Sequence, residues 1–275
     1  MFLSRLDNEV IFKKAFTDKL VFTQFVKDVI GIDIVVKKIE TEKRFKPKTA
    51  YIDFSYDIFA ETKDNRVIVE IQRVNYDYNF DRFLHYHMMA IAELQRKASD
   101  YKIKPKVYTI VVLTRPSLIE DEEGKTVEDD VLILDMTPHN RKGKVVKFYG
   151  HQLIFLCPHF KTDDTPPALI DWFDLILESI NNPEAPQINL QNQAIKRAAE
   201  LIEDNNLTPE ERWAMKIAVA TEEARQIVER QAKVEGQLEA NLETAQNMIA
   251  EGFEVKMISK LTGLDPDTIK QLGTE

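Results

Sequence analysis

Asp57, Glu70 and Gln72 lie within YDIFAETKDNRVIVEIQR, where apolar and polar residues alternate on both sides of Lys63-Asp64-Asn65. That alternation predicts two strands of a β-hairpin. With Asp64 and Asn65 as a two-residue turn, Asp57 faces Gln72, and Glu70 is its diagonal neighbour at roughly 7–8 Å between backbones. All three side chains then leave one surface, and Tyr56, Ile58, Ala60, Val67, Val69 and Ile71 supply an apolar core surface on the other. Two carboxylates this close repel, and each is costly to bury without a partner. A magnesium ion removes the conflict: it takes a few carboxylates, keeps several waters, and can activate one of them against a phosphodiester. The same alternation also suits a hairpin whose polar face simply meets solvent.

The elements that must position this hairpin follow from periodicity. Val10, Ile11, Phe16, Leu20, Val21 and Phe25 predict a first helix over 8–30, stopped by Gly31. A strand is expected at 33–40 and a helix at 77–98, with Phe80, Leu84, His87, Met88, Ile91 and Leu94 facing inward. His85 and His87, two apart on that helix, point in different directions and make poor joint ligands; packing in the core suits His87 better. Strands at 107–113, 131–136 and 152–157 and a helix at 167–181 complete an α/β core. Asn182 and Pro183 end it, which gives a core over 1–182, a linker over 183–207 and an all-helical arm over 208–275. The arm has a thin apolar stripe suited to a second helix, from the core or from another copy, so a homo-oligomer through it is open.

Charge is uneven. The net charge is −9, but residues 1–110 hold twenty basic against sixteen acidic residues. Two basic runs, one over 37–48 and one over 96–106, would flank a phosphate backbone or form solvated strips. Cys157 is the single cysteine, so neither an intrachain disulfide nor a cysteine-based zinc cluster can form. No apolar run is long enough to span a membrane, and the charged N-terminus is unlike a signal peptide, so a cytoplasmic protein is expected.

The pattern Asp57-x12-Glu70-x-Gln72 resembles the Rpn (recombination-promoting nuclease and transposase) branch of the PD-(D/E)xK nuclease superfamily. Three further segments share the resemblance: Glu9 to Phe16 looks like the family's acidic-x-x-Phe-Lys opening, Arg82 to Tyr86 like its Arg-x-x-x-Tyr helix, and MIAEGFEVKMISKLTGLDPDTIKQL like its terminal segment. The resemblance implies a restriction-endonuclease-like core, a mixed sheet flanked by helices. It implies that Asp57 and Glu70 hold Mg²⁺, or Mn²⁺, with Glu9 as an added ligand. Gln72 joins them as a catalytic residue, and Lys13, Arg82 and Tyr86 contact DNA. Gln72 departs from the superfamily's lysine; an amide orients water but brings no positive charge. Glu9 is equally suited to a first-turn carboxylate favoured by the helix dipole, and Arg82 and Tyr86 to a salt bridge and an edge-of-core aromatic.

The terminal segment reads as a helix-turn-helix-like pair, with Gly263 in the turn and Asp265 capping the second helix. Asp267, Thr268, Lys270 and Gln271 suit docking or self-association better than base reading. The implied activity is a DNA endonuclease of recombination, mobile elements or phage defence. The alternative is a weak or inactive nuclease-fold module that binds DNA or assembles. No GxxxxGK[ST], GxSxG or HExxH motif is present.

Overall fold

A computed structural model describes residues 1–45, 54–73, 79–94, 103–116 and 119–273. Lys46 and Lys48 of the first basic run and Arg96, Lys97 and Lys102 of the second lie outside them.

The predicted first helix is two. Helix α1 (Glu9–Phe16) starts at Asn8, whose side chain accepts from the Val10 N–H, and α2 (Lys19–Ile30) starts at Asp18, which accepts from Leu20 and Val21. Asp18 breaks the run because its carboxylate competes for amides that a continuous helix would spend internally. The break folds the chain so that Phe16 packs edge-on to Phe25 at 4.9 Å, and Phe25 in turn to Trp172 at 5.2 Å. Gly31 closes α2 at φ 71°, as its position predicted.

Strand β1 is Ile39–Phe45, later than the expected 33–40. Ile34 and Val36 are nevertheless buried: their alternation reports packing rather than strand pairing. Strands β2 (Phe54–Glu61) and β3 (Asn65–Gln72) form the hairpin, α3 (Asn79–Ala92) crosses to β4 (Lys106–Leu113), and β5 (Val131–Asp135) and β6 (Gln152–Leu156) follow. The sheet order is β1-β2-β3-β4-β6-β5. Pairing is parallel at β3–β4 and β4–β6 and antiparallel elsewhere, which makes the sheet mixed, as the family resemblance implied.

Helices α1, α2, α4 (Pro167–Asn181) and α5 (Gln193–Ile202) share the main core with one sheet face, and α3 covers the other. The buried face of α3 is rotated from the expected one: Phe83, His87 and Ala90 are fully buried, while Met88 is 52% exposed. Helix α5 falls inside the stretch expected to be linker. Ala194, Ile195, Ala198, Ala199 and Ile202 repeat at helical spacing and bury completely against α1 and α2.

The chain divides into two compact units, Met1–Met215 and Lys216–Glu275. Helix α6 spans Pro209–Ala250. Within the second unit, α7 (Val255–Thr262) ends at Gly263 with φ 70°, and Asp265 caps α8 (Pro266–Leu272), as the sequence predicted. Ala245, Ile258, Leu264 and Ile269 form its core. Among the described residues no helix is long and apolar enough to cross a membrane.

Candidate metal centre

The hairpin ladder runs from Glu61↔Arg66 to Ile58↔Val69, and Thr62 N–H donates to Asn65 O at 2.7 Å. The two-residue turn is therefore Lys63-Asp64, one residue earlier than expected. A shift of the turn by one residue moves the partner by two, so parity survives but the neighbour changes. Carried one step further, this register sets Asp57 opposite Glu70 and makes Gln72 the diagonal residue.

Beyond Ile58 the carboxylates take over from the ladder. The Asp57 N–H donates to Glu70 Oε1 at 3.1 Å, and the Ile71 N–H donates to Asp57 Oδ2 at 3.0 Å. Alternation also breaks here. Ile58, Ala60, Val67 and Val69 lie in the main core and Ile71 packs against it, but Tyr56 joins Phe59 and Ile68 beneath α3. The expected polar face is thus covered too, and Glu70 is only 3% exposed.

A third acidic residue, unforeseen from sequence, arrives from β1. Glu42 sits between the pairs Thr41↔Ile58 and Lys43↔Tyr56 and has φ 51°, a left-handed backbone that costs a non-glycine residue roughly 1–2 kcal/mol. Its carboxylate accepts from Ser55 Oγ at 2.9 Å. Oxygens of Glu9, Glu42 and Asp57 lie within 4.8 Å of one another. Glu9 therefore opens α1 and also joins this cluster. Glu70 is held beside it through the Asp57 backbone rather than by sharing the same convergence.

Lys13, one turn after Glu9, points into the cluster. Its ammonium pairs with Glu9, with Glu42 and, at 3.5 Å, with Asp57 Oδ1. Burial works against that charge, but Asp57, Glu42 and Glu9 outweigh it and raise the Lys13 pKa. Burial raises the pKa of Asp57, against the pull of Lys13. Glu70 is pushed furthest: burial and then the Asp57 charge raise it well above the carboxylate range, opposed by the Asp57 amide and by Arg82. Glu9 is also raised, by burial first; Glu42 is lowered because Lys13 and Ser55 overcome its burial.

Gln72 is buried at the end of β3, where Arg82 Nη1 donates to its Oε1 at 3.1 Å. The Arg82 guanidinium lies 5.2 Å over Phe83 and 5.4 Å over Tyr86, and the Tyr86 carbonyl accepts from Tyr56 Oη at 3.0 Å. Arg82 thus reaches the site's edge through Gln72, while the Tyr86 ring packs edge-on to Tyr56 and Phe83. His87 is a core residue, with Nδ1 2.9 Å from Thr109 Oγ1.

The donor set suits a hard divalent cation: carboxylate oxygens converge, and no soft ligand is among them. Lys13 is itself a stand-in, showing that a positive group is accommodated among Glu9, Glu42 and Asp57. The carboxylates whose pKa is raised would bind a cation only by losing their protons.

A family model described as the PD-(D/E)XK nuclease family transposase matches residues 7–232, and one described as the C-terminal HTH domain of the Rpn/YhgA-like nuclease family matches 238–274. No curated protein and no solved structure matches the chain. The first match covers most of the sequence, including every residue of the acid cluster, and the chain belongs to the PD-(D/E)XK nuclease family transposases.

Proposed function

We propose that this protein is a DNA endonuclease that hydrolyses phosphodiester bonds with Mg²⁺ or Mn²⁺. The observation that carries this reading is the interlocked Asp57–Glu70 pair at the open end of the hairpin, with Glu9 and Glu42 converging on Asp57. Asp57 and Glu70 hold the cation, with Glu9 and Glu42 as further oxygen donors. When bound, the cation supplies an activated water and charge stabilisation at the phosphate. Gln72, oriented by Arg82, positions that water. Lys13 supplies beside Asp57 the positive charge that an amide at position 72 lacks. Arg82 and Tyr86 contribute at the substrate's edge, Arg82 by a charge-assisted contact to a phosphate. The terminal helix-turn-helix, so described by its family model, favours DNA as the partner over the docking role its charges suggested.

The test is supercoiled plasmid incubated with Mg²⁺ and wild type, Asp57→Ala or Glu70→Ala. Wild type is expected to nick or linearise it, and both variants to fall to background; equal nicking by all three rules the site out. One observation favours a second reading, a DNA-binding module without catalysis: Lys13 already neutralises part of the cluster. Tight DNA binding without Mg²⁺, and no cleavage with any divalent ion, would support it.

A further inference from the structure

The two edges of the sheet are built differently. Edge strand β1 carries Glu40, Glu42, Lys43 and Arg44 and the left-handed residue Glu42, which discourages pairing with another strand. Edge strand β5 is less protected: its one charged residue, Asp135, closes the strand and accepts from Thr137, while Val131-Leu132-Ile133-Leu134 is uncharged and Ile133 is 58% exposed. Among the described residues its backbone pairs with β6 alone.

The charges on either side identify what would cover this edge. Residues 120–130 hold seven acidic residues and one lysine; residues 136–149 hold four basic residues and no acidic one. A second copy pairing parallel would set acid against acid. An antiparallel copy sets each acidic approach against the partner's basic continuation, and it is the arrangement a two-fold axis generates. With the axis at Ile133, that residue meets its own counterpart and Leu132 meets Leu134 of the other copy.

We propose that two copies of this chain associate through antiparallel β5–β5 pairing about Ile133, extending the six-stranded sheet across a two-fold axis. This association is independent of whether the acid cluster cleaves DNA.

The test uses the full chain. Light scattering after gel filtration is expected to give twice the 31.9 kDa chain mass for wild type. Ile133→Lys places two like charges on the axis and is expected to weaken the dimer at least tenfold, with circular dichroism unchanged because the site is already exposed. Ile133→Cys, uncharged and at an exposed position, is expected to cross-link to itself with a short bis-maleimide; Cys157 is buried and does not compete. A monomeric wild type, an Ile133→Lys protein that folds and remains dimeric, or no cross-link at position 133 overturns the proposal, and the second of these places association elsewhere, as in the helical arm.

Discussion

The two ends of one hairpin solve opposite problems. At the turn end, Glu61 and Arg66 face each other with opposite charges: Arg66 Nη2 donates to Glu61 at 2.8 Å, and its Nη1 donates to the Ala90 carbonyl at 2.8 Å. Arg66 is 3% exposed, and its charge is answered within the fold. At the open end Asp57 and Glu70 face each other with the same charge, Glu70 is equally buried, and the partners present, two backbone amides with Lys13 and Arg82 nearby, leave both pKa values raised. The first pair holds the hairpin together. The second is left short of positive charge, and a like-charge pair kept in that state is what the proposed cation site requires.

The largest expected difference is in cleavage. Glu70→Gln keeps the shape but removes a charge, and is expected to lower Mg²⁺-dependent plasmid cleavage by about 100-fold or more. Glu61→Gln is expected to stay within about twofold of wild type. Equal losses would erase the distinction between the two ends.

His87 sharpens it with a third solution, burial in the neutral form. Burial, with a smaller effect from His151, lowers its pKa to about 4. Its folded value lies below the unfolded one, so its contribution is fully present above about pH 6.5 and is lost as the pH falls through about 4. The loss is about 3 kcal/mol. Thermal melts of wild type and His87→Gln between pH 4 and 7 are expected to show a steeper acid slope in wild type.

Breaking the structural pair comes next. Arg66→Met strips Glu61 of its partner and leaves the Ala90 carbonyl without its donor, at an expected cost of about 2 kcal/mol by urea unfolding. The last contrast is the pH response of Glu70 without metal. Its folded pKa is above the unfolded one, so its contribution is present below about pH 4 and is lost as the pH rises through the raised value. In chelator, wild type is expected to lose stability over that rise, Mg²⁺ to restore it, and Glu70→Gln to show neither response.

Much of this was legible in the sequence because alternation survives small errors. Moving the turn from Asp64-Asn65 to Lys63-Asp64 changed Asp57's neighbour but left it beside Glu70, since both shifts preserve parity. Glu42 was not legible: it depends on a left-handed residue in β1 and on the pairing of β1 with β2, neither of which leaves a periodic trace. Lys13 was visible only as part of the family's opening motif; its place among three carboxylates follows from how α1 meets β1 and β2. Tyr56 moved to the opposite face because alternation lapses at Asp57, a local departure that a strict two-residue period cannot register. Helix α5 was missed because Pro and Asn before it look like linker, although its Ala and Ile spacing was helical.

A cation held at the like-charged end of the hairpin is open to calorimetric titration. Mn²⁺ titrated into the full-length protein at pH 7 is expected to give saturable binding with proton release, seen as a dependence of the heat on the buffer's ionisation enthalpy. Asp57→Asn and Glu70→Gln are each expected to abolish it. Binding of equal strength in wild type and both variants, or none in wild type, would contradict a cation site at Asp57 and Glu70.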